Sequence, residues 1–517
     1  MRHERTENMQ VTSDAASLIC RTHQGDVLGV VADGVRSWFG IPYAQAPVGP
    51  LRFRAPQPPQ PWQGVREAKT FGPLPIQKRG FEAIGGAGAQ TPMSEDCLTI
   101  NISAPADPSD RPRPVVVWIY GGGFSLGGTR TPLYRGKDLV QNGDVVFVSF
   151  NYRVGVFGFT DFSNWSTTDD PIDSNLGLRD QVAALQWVQQ NIAAFGGDPD
   201  NVTIFGQSAG AASVVFLMCV PSAKGLFHRA FAMSPAGFSV YDRHRHAIFA
   251  DDIIRTLGLD PDDRQATGPA LKRLDCEQLN ARASQFFYDV APDKYPGLLP
   301  TSPVIDGDFL PLHPIEAFSQ GHATRLPLVI GTMKREGAML HKALPVISTR
   351  VSQLEAMFAK AAPDGLRQRL VAAYPGFPSK ATAIDMGGDF TFWLPALRIA
   401  EGHSAFADCW VYRFDYATPL TRLLFGAATH GLDLPMVFGS TGEGELGKLD
   451  LFYRKRSKAV SQRFQGAFLD FVHGRTPGWS CYDTDLRRTR IFDAEDREDR
   501  DPNKATRLAW GDYRGPA

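Results

Sequence analysis

The stretch Asn201–Val220, NVTIFGQSAGAASVVFLMCV, decides how this chain folds. Its first five residues read as a short buried strand: Val202, Ile204 and Phe205 are apolar, and β-branched Thr203 suits the pleat. Ala209–Val220 reads as an apolar helix with alanines in its first turn. Between them lies Gly206-Gln207-Ser208-Ala209-Gly210, a G-x-S-x-G pentapeptide. A sharp strand-to-helix turn forces the serine into a strained backbone conformation and pushes its hydroxyl into the open. A Cβ on either flanking glycine would collide with the neighbouring strand and helix. The helix that follows points free N–H groups at the same spot, where negative charge is favoured. Ser208 is thus the candidate nucleophile.

A second match, Gly123-Phe124-Ser125-Leu126-Gly127, also follows an apolar run, Val115–Tyr120. It continues into Gly128-Thr129-Arg130-Thr131-Pro132, which is not a helix. Ser125 has the strand without the helix, and Ser208 has both.

Composition sets the limits. The 517 residues are enough for a large buried core, and a formal net charge of −1 argues against nucleic-acid or membrane-surface partners. No apolar run is long enough to span a bilayer, and the first twenty residues lack the apolar core of a secretory signal. The six cysteines (Cys20, Cys97, Cys219, Cys276, Cys409 and Cys481) show neither metal-ligand spacing nor a disulfide framework. This pattern fits a reducing compartment, so a cytoplasmic location is expected, with no metal.

Taken in order, residues 1–17 are polar and read as a flexible N-terminus, and 18–517 as a single domain. Leu18–Val31 alternates around Gly25 and Gly29 like a hairpin. The PxxP spacing in Pro56–Pro61 reads as an irregular surface segment, because prolines block sheet pairing. Cys97–Ile102, Val115–Tyr120, Val145–Asn151, Leu326–Gly331 and Cys409–Phe414 read as further strands. Continuous apolar runs such as Val115–Tyr120 suit a sheet buried on both faces. Leu178–Phe195 and Ser457–His473 read as helices, the former stopped by Gly196-Gly197. Beyond Phe231 the pattern is mainly helical to about Phe287. The charged tail Asp485–Arg507 and the basic run Arg454–Lys458 read as solvated surface. Strand–helix alternation implies an α/β fold with a large, mostly parallel central sheet flanked by helices, an N-terminal β region and helical insertions after about residue 231.

A serine nucleophile needs a base, and in open α/β sheets sites form at the carboxyl ends of strands. Four histidines follow Leu326–Gly331. His341 is too near Glu336, His403 precedes its strand, and His473 sits where cations offset a helix dipole. His430 lies in the small-residue loop after Cys409–Phe414 and is the candidate base. For the acid, Glu336 lies just past the Leu326–Gly331 strand; Asp433 is its rival and Asp306 a weaker one. A Glu336 paired with Lys334 or Arg335 at the surface is the bland alternative. The third requirement is a set of N–H donors for the oxyanion that acyl transfer creates. Ala209 supplies one, and Gly121-Gly122-Gly123 can supply others. That glycine run is not a phosphate loop, because no Gly-Lys-Ser/Thr and no helix follow it.

These residues carry a family resemblance. Phe39-Gly40-Ile41-Pro42-Tyr43-Ala44, Ser94-Glu95-Asp96-Cys97-Leu98, Trp118–Phe124, Asn151-Tyr152-Arg153-Val154-Gly155, Gly206–Gly210 and Pro303-Val304-Ile305-Asp306-Gly307 together resemble the type-B carboxylesterases. Cholinesterases and bacterial para-nitrobenzyl esterases belong to that family. The resemblance implies an α/β-hydrolase fold, a triad of Ser208, Glu336 and His430, and an oxyanion hole of Gly122, Gly123 and Ala209. It implies a cofactor-free carboxylesterase acting on small-molecule esters. It also places Glu95 and Arg153 in a structural ion-pair network.

Two departures stand out. The family's usual disulfide partner for Cys97 is absent, since the site reads Leu74-Pro75-Ile76. The loop between carries no tryptophan, which counts against choline esters. Where cholinesterases crowd the acyl side with aromatics, this chain has Gly297, Leu298 and Leu299, so Gly297 and Leu299 are expected to line a roomier substrate pocket. An amidase or carbamate hydrolase could use the same site, and a non-catalytic binding protein on this fold would ordinarily lack the serine. The oligomeric state is not legible.

Overall fold

The computed structural model describes residues 18–79, 90–343, 347–361, 364–441 and 453–515. The expected flexible N-terminus, 1–17, lies outside them, as does much of the glycine-rich loop before Cys97.

One sheet of eleven strands organises the chain. In chain order they are β1 (Val30–Ala32), β2 (Val35–Pro42), β3 (Thr99–Pro105), β4 (Arg113–Ile119), β5 (Val146–Phe150), β6 (Gly197–Gln207), β7 (Arg229–Met233), β8 (Leu328–Met333), β9 (Cys409–Phe414), β10 (Arg488–Phe492) and β11 (Arg497–Arg500). Their order across the sheet is β11-β10-β9-β8-β7-β6-β4-β5-β3-β2-β1. From β10 to β5 every neighbouring pair is parallel, and the flanking pairs are antiparallel. Val115–Ile119 on β4 and all of β5 are buried, as continuous apolar runs covered on both faces require.

Three helices matter most to the site. Helix α1 (Leu176–Asn191) ends in a 3-10 turn, Ile192–Phe195, and Gly196 caps it in the left-handed region at φ +85°. Helix α2 (Ala209–Leu217) follows β6 and is buried all round, which is why its sequence shows no polar face. Helix α3 (Arg454–Val472) packs Phe464, Phe468 and Phe471 against Phe231 of β7. Its opening residues Arg454, Lys455, Arg456 and Lys458 are exposed, a solvated face as expected.

Some expectations need correction. The hairpin at the start closes between Ile19–Thr22 and Gly25–Leu28, but Val30–Ala32 leaves it for the main sheet. Gly29 marks the change, since a Cβ there would sit 2.5 Å from the Ser37 carbonyl oxygen. Strand β6 is longer than Asn201–Phe205 because β4 and β7 pair along it on both sides. Strand β7 was not evident in the sequence, and the charged tail contributes β10 and β11. Among the described residues no helix is long and apolar enough to cross a membrane.

Candidate active site

Five neighbouring strands, β4, β6, β7, β8 and β9, end their carboxyl termini at one edge of the sheet. The parallel register aligns those ends: Ile119 with Gly206, Gln207 with Met233, and Met333 with Phe414. The loops that leave them carry Gly121–Gly123, Ser208, Ser234, Glu336 and His430 in turn. Residues scattered over more than three hundred positions thus meet because the sheet is parallel.

Ser208 stands between β6 and α2 at φ +60° and ψ −125°, a conformation that costs a non-glycine residue free energy. The turn is held by its N–H donating to the Met233 carbonyl at 2.9 Å and its own carbonyl accepting from Ala212 at 2.9 Å. Both flanking glycines are sterically required. A Cβ on Gly206 would lie 2.5 Å from the Gly210 carbonyl carbon, and one on Gly210 would lie 2.1 Å from the Ile119 carbonyl oxygen. Ser125 is followed by turns, not a helix, and its hydroxyl donates to the Gly123 carbonyl at 3.0 Å.

The glycine loop after β4 packs directly on this turn. A Cβ on Gly121 would come within 3.0 Å of the Ser208 Cβ. Gly122 and Gly123 have positive φ, +124° and +60°. The Gly122 carbonyl accepts from the N–H groups of Ser125 and Leu126 at 3.1 and 3.0 Å, which turns the peptide so that the Gly123 N–H faces the other way. The Gly123 carbonyl accepts from Ser125 and from Thr301 Oγ1 at 3.1 Å. Among the described residues neither the Gly122 nor the Gly123 N–H has a backbone acceptor. Ala209, first in its helix, has no intrahelical acceptor either. These are the unspent donors an oxyanion needs.

His430 Nδ1 lies 2.7 Å from Glu336 Oε2, and both side chains are buried. The other carboxylate oxygen of Glu336 accepts from the Met333 N–H and from Ser234 Oγ, each at 2.7 Å. A carboxylate so saturated is fixed in position and has no need of Lys334 or Arg335. Those two pair with Asp415 and Asp385. The loops are also tied together: Thr429 Oγ1 donates to the Glu336 carbonyl at 3.3 Å, and the Arg335 N–H donates to Ala428 at 2.9 Å. The Phe392 ring covers the imidazole at 4.2 Å between centroids. On its far side, His430 Nε2 meets Gln207 Nε2 at 2.9 Å.

The rivals fall elsewhere. His403 and His473 each bond a backbone carbonyl through Nε2, of Leu326 and Gly143, and His341 bonds that of Ala338 through Nδ1. Asp306 accepts from Ser174 and Asn175. Asp433 is fully buried and accepts from the Tyr412 hydroxyl at 2.9 Å. Burial pushes its carboxyl up to about 7, with the Glu336 charge adding to the rise. Asp389, bonded by the Tyr374 hydroxyl, is raised to about 7, by burial first and then by the charges of Asp385 and Glu336. Glu95 and Arg153 do not pair with each other: Glu95 holds Arg52, and Arg153 holds Asp180 through two bonds of 2.8 and 2.7 Å.

Gly297, Leu298 and Leu299 line one cavity of about 20 Å³ with Phe238, Ile347 and Phe390. Gly297 is at φ +82°, and a Cβ there would press on Met357 Sδ at 2.9 Å. Phe390 shares a single helical turn, Asp389–Trp393, with Phe392, the ring that covers His430. Sequence reading missed Ser234, Phe392, Thr301 and the part played by Gln207. Only Gln207 lay inside a recognised motif. Among the described residues no group of His, Cys, Asp and Glu is arranged to hold a metal ion.

The parallel sheet with a strained serine at the end of a central strand defines an α/β-hydrolase fold. The carboxylesterase family model matches residues 16–494. The para-nitrobenzyl esterase of Bacillus subtilis (strain 168) is 35% identical over 495 residues, covering 95% of this chain and 97% of that protein. The phenmedipham hydrolase of Pseudarthrobacter oxydans is 32% identical over 481 residues, 90% of this chain and 93% of that protein. A solved PNB esterase superposes with a TM-score of 0.81 at 35% identity, covering 95% of this chain and 99% of that one. The chain belongs to the carboxylesterase family and is a carboxylic ester hydrolase.

Proposed function

We propose that Ser208, His430 and Glu336 form the catalytic triad of a serine carboxylesterase, with Gly122, Gly123 and Ala209 as its oxyanion hole. The observation that carries this reading is the 2.7 Å bond between His430 Nδ1 and Glu336 Oε2, made by residues 94 positions apart. It fixes the tautomer, leaving Nε2 as the basic nitrogen. Ser208 Oγ attacks the ester carbonyl while Nε2 takes its proton, and Glu336 stabilises the imidazolium that forms. The three N–H donors hold the oxyanion. The alcohol leaves with the proton from His430, and water activated by the same histidine releases the acid. No cofactor enters these steps. The six free thiols suit a cytoplasmic location.

The substrate pocket is assigned to Gly297 and Leu299. Their cavity holds about one water as it stands. An acyl group larger than acetyl requires this cavity to open, and a phenylalanine at 297 or 299 would oppose that.

The test is turnover of p-nitrophenyl butanoate by the parent and two variants. Ser208→Ala should lower kcat roughly 10⁴-fold, and Glu336→Gln roughly 10³-fold or more. A Glu336→Gln enzyme with near-normal kcat would assign the acid to Asp433 instead. A relative is named for phenmedipham hydrolysis, so that compound belongs in the same panel beside the ester.

A further inference from the structure

Gln207, the residue before the nucleophile, touches the base and has no part in the mechanism above. Its side-chain nitrogen lies 2.9 Å from His430 Nε2, and it is buried. The chemistry of the pair fixes which way the amide faces. Glu336 is an acceptor, so His430 Nδ1 carries the proton and Nε2 presents a bare lone pair. Only the NH₂ of Gln207 satisfies a lone pair; its carbonyl oxygen would be repelled. The amide therefore donates into the very site that must receive the Ser208 proton.

We infer that Gln207 is a positioning residue that caps the free Nε2 of His430 at rest and restrains its attack on the Ser208 proton. This deepens the proposed triad and rests on it. One consequence follows from this contact. It stabilises the free enzyme relative to the transition state, where Nε2–H must face the oxygen atoms of serine and leaving alcohol. Gln207 must release the ring before acylation, so the contact acts as a modest brake on kcat/KM.

The other titratable groups around the ring are unchanged by substitution at 207. Glu336 holds Nδ1, Asp433 lies within electrostatic reach of the imidazole, and Asp389 lies within reach of Glu336. Tyr412 and Tyr374 bond those two carboxyls. A difference between parent and variant thus reports Gln207 itself.

The experiment is the pH profile of kcat/KM for p-nitrophenyl butanoate in the parent, Gln207→Glu and Gln207→Met, with thermal midpoints recorded to show that each folds. A carboxylate at 207 pairs with imidazolium, so the acid limb of Gln207→Glu should move up by about one pH unit. Gln207→Met keeps the volume and removes the donor. Its alkaline plateau should rise about fivefold. If Gln207→Glu fails to fold, the plateau of Gln207→Met decides. A Gln207→Met plateau at or below the parent's, or a folded Gln207→Glu whose acid limb stays within about 0.3 pH unit of the parent's, overturns the inference. Loss of the proposed triad would show differently, as parent activity that survives Ser208→Ala.

Discussion

At the scale of single residues, two buried carboxyls near Glu336 give the molecule a stability that depends on pH. Asp433 and Asp389 both titrate at about 7 in the folded state, above the ordinary aspartate value, chiefly because burial disfavours their charge. A raised carboxyl contributes its stability fully below its unfolded value, and that stability is lost as pH rises through the folded one. These two groups therefore lower the thermal midpoint between about pH 4 and about pH 8. The histidines that burial holds low, His246, His313 and His403, work in the opposite sense below about pH 6.5. Asp433→Asn keeps an oxygen for the Tyr412 hydroxyl and cannot ionise, so its midpoint should gain on the parent's as pH rises through that range. Calorimetric scans of both proteins across that range check it, and equal slopes would show that Asp433 does not titrate there. These residues also mark the limit of sequence reading. His430 and Glu336 were legible because each follows a strand that could be read. Asp433 was read as a rival acid because it lies three positions from His430, and only burial and the Tyr412 bond separate the roles. Ser234 left no trace, since it sits after a strand that was not read.

At the scale of elements, the strands that sequence reading found are mostly the apolar central ones, β3, β4, β5, β6, β8 and β9. Those it missed depend on neighbours. Strand β7, Arg-Ala-Phe-Ala-Met, contains good helix formers and becomes a strand by lying between β6 and β8. Strand β10 alternates Arg488, Thr489, Arg490 and Ile491, but its charges hid the period. Arg490 bonds Asp496 and lies over the Phe492 ring, which makes a charged residue tolerable there. The segment Gly297–Leu299 belongs to this scale too, because its cavity is shared with the turn Asp389–Trp393. Each methylene buried there is worth about 0.8 kcal/mol, so the acyl preference is a matter of degree. Leu299→Phe should shift the ratio of kcat/KM for butanoyl over acetyl p-nitrophenyl esters towards acetyl, by roughly tenfold. An unchanged ratio would place the acyl group elsewhere. A parent that strongly prefers acetyl would show that this small cavity does not open for larger acyl groups.

For the whole molecule, one parallel sheet gathers five loops at one edge, and the chemistry depends on that gathering. The G-x-S-x-G pattern occurs twice in this chain, at Ser208 and at Ser125. Only Ser208 sits in a strained strand-to-helix turn, while the Ser125 hydroxyl is engaged in holding the glycine loop. Removing that one hydrogen bond from Ser125 costs about 1 kcal/mol, far less than losing a nucleophile. The two serines can be told apart directly. The intact protein is treated with a serine-directed organophosphate, digested, and the modified peptide is sequenced by mass spectrometry while residual esterase activity is followed. One label per chain on Ser208, formed in step with the loss of activity, is the expected result; a label on Ser125, or full inactivation with Ser208 unmodified, would contradict the assignment of the nucleophile.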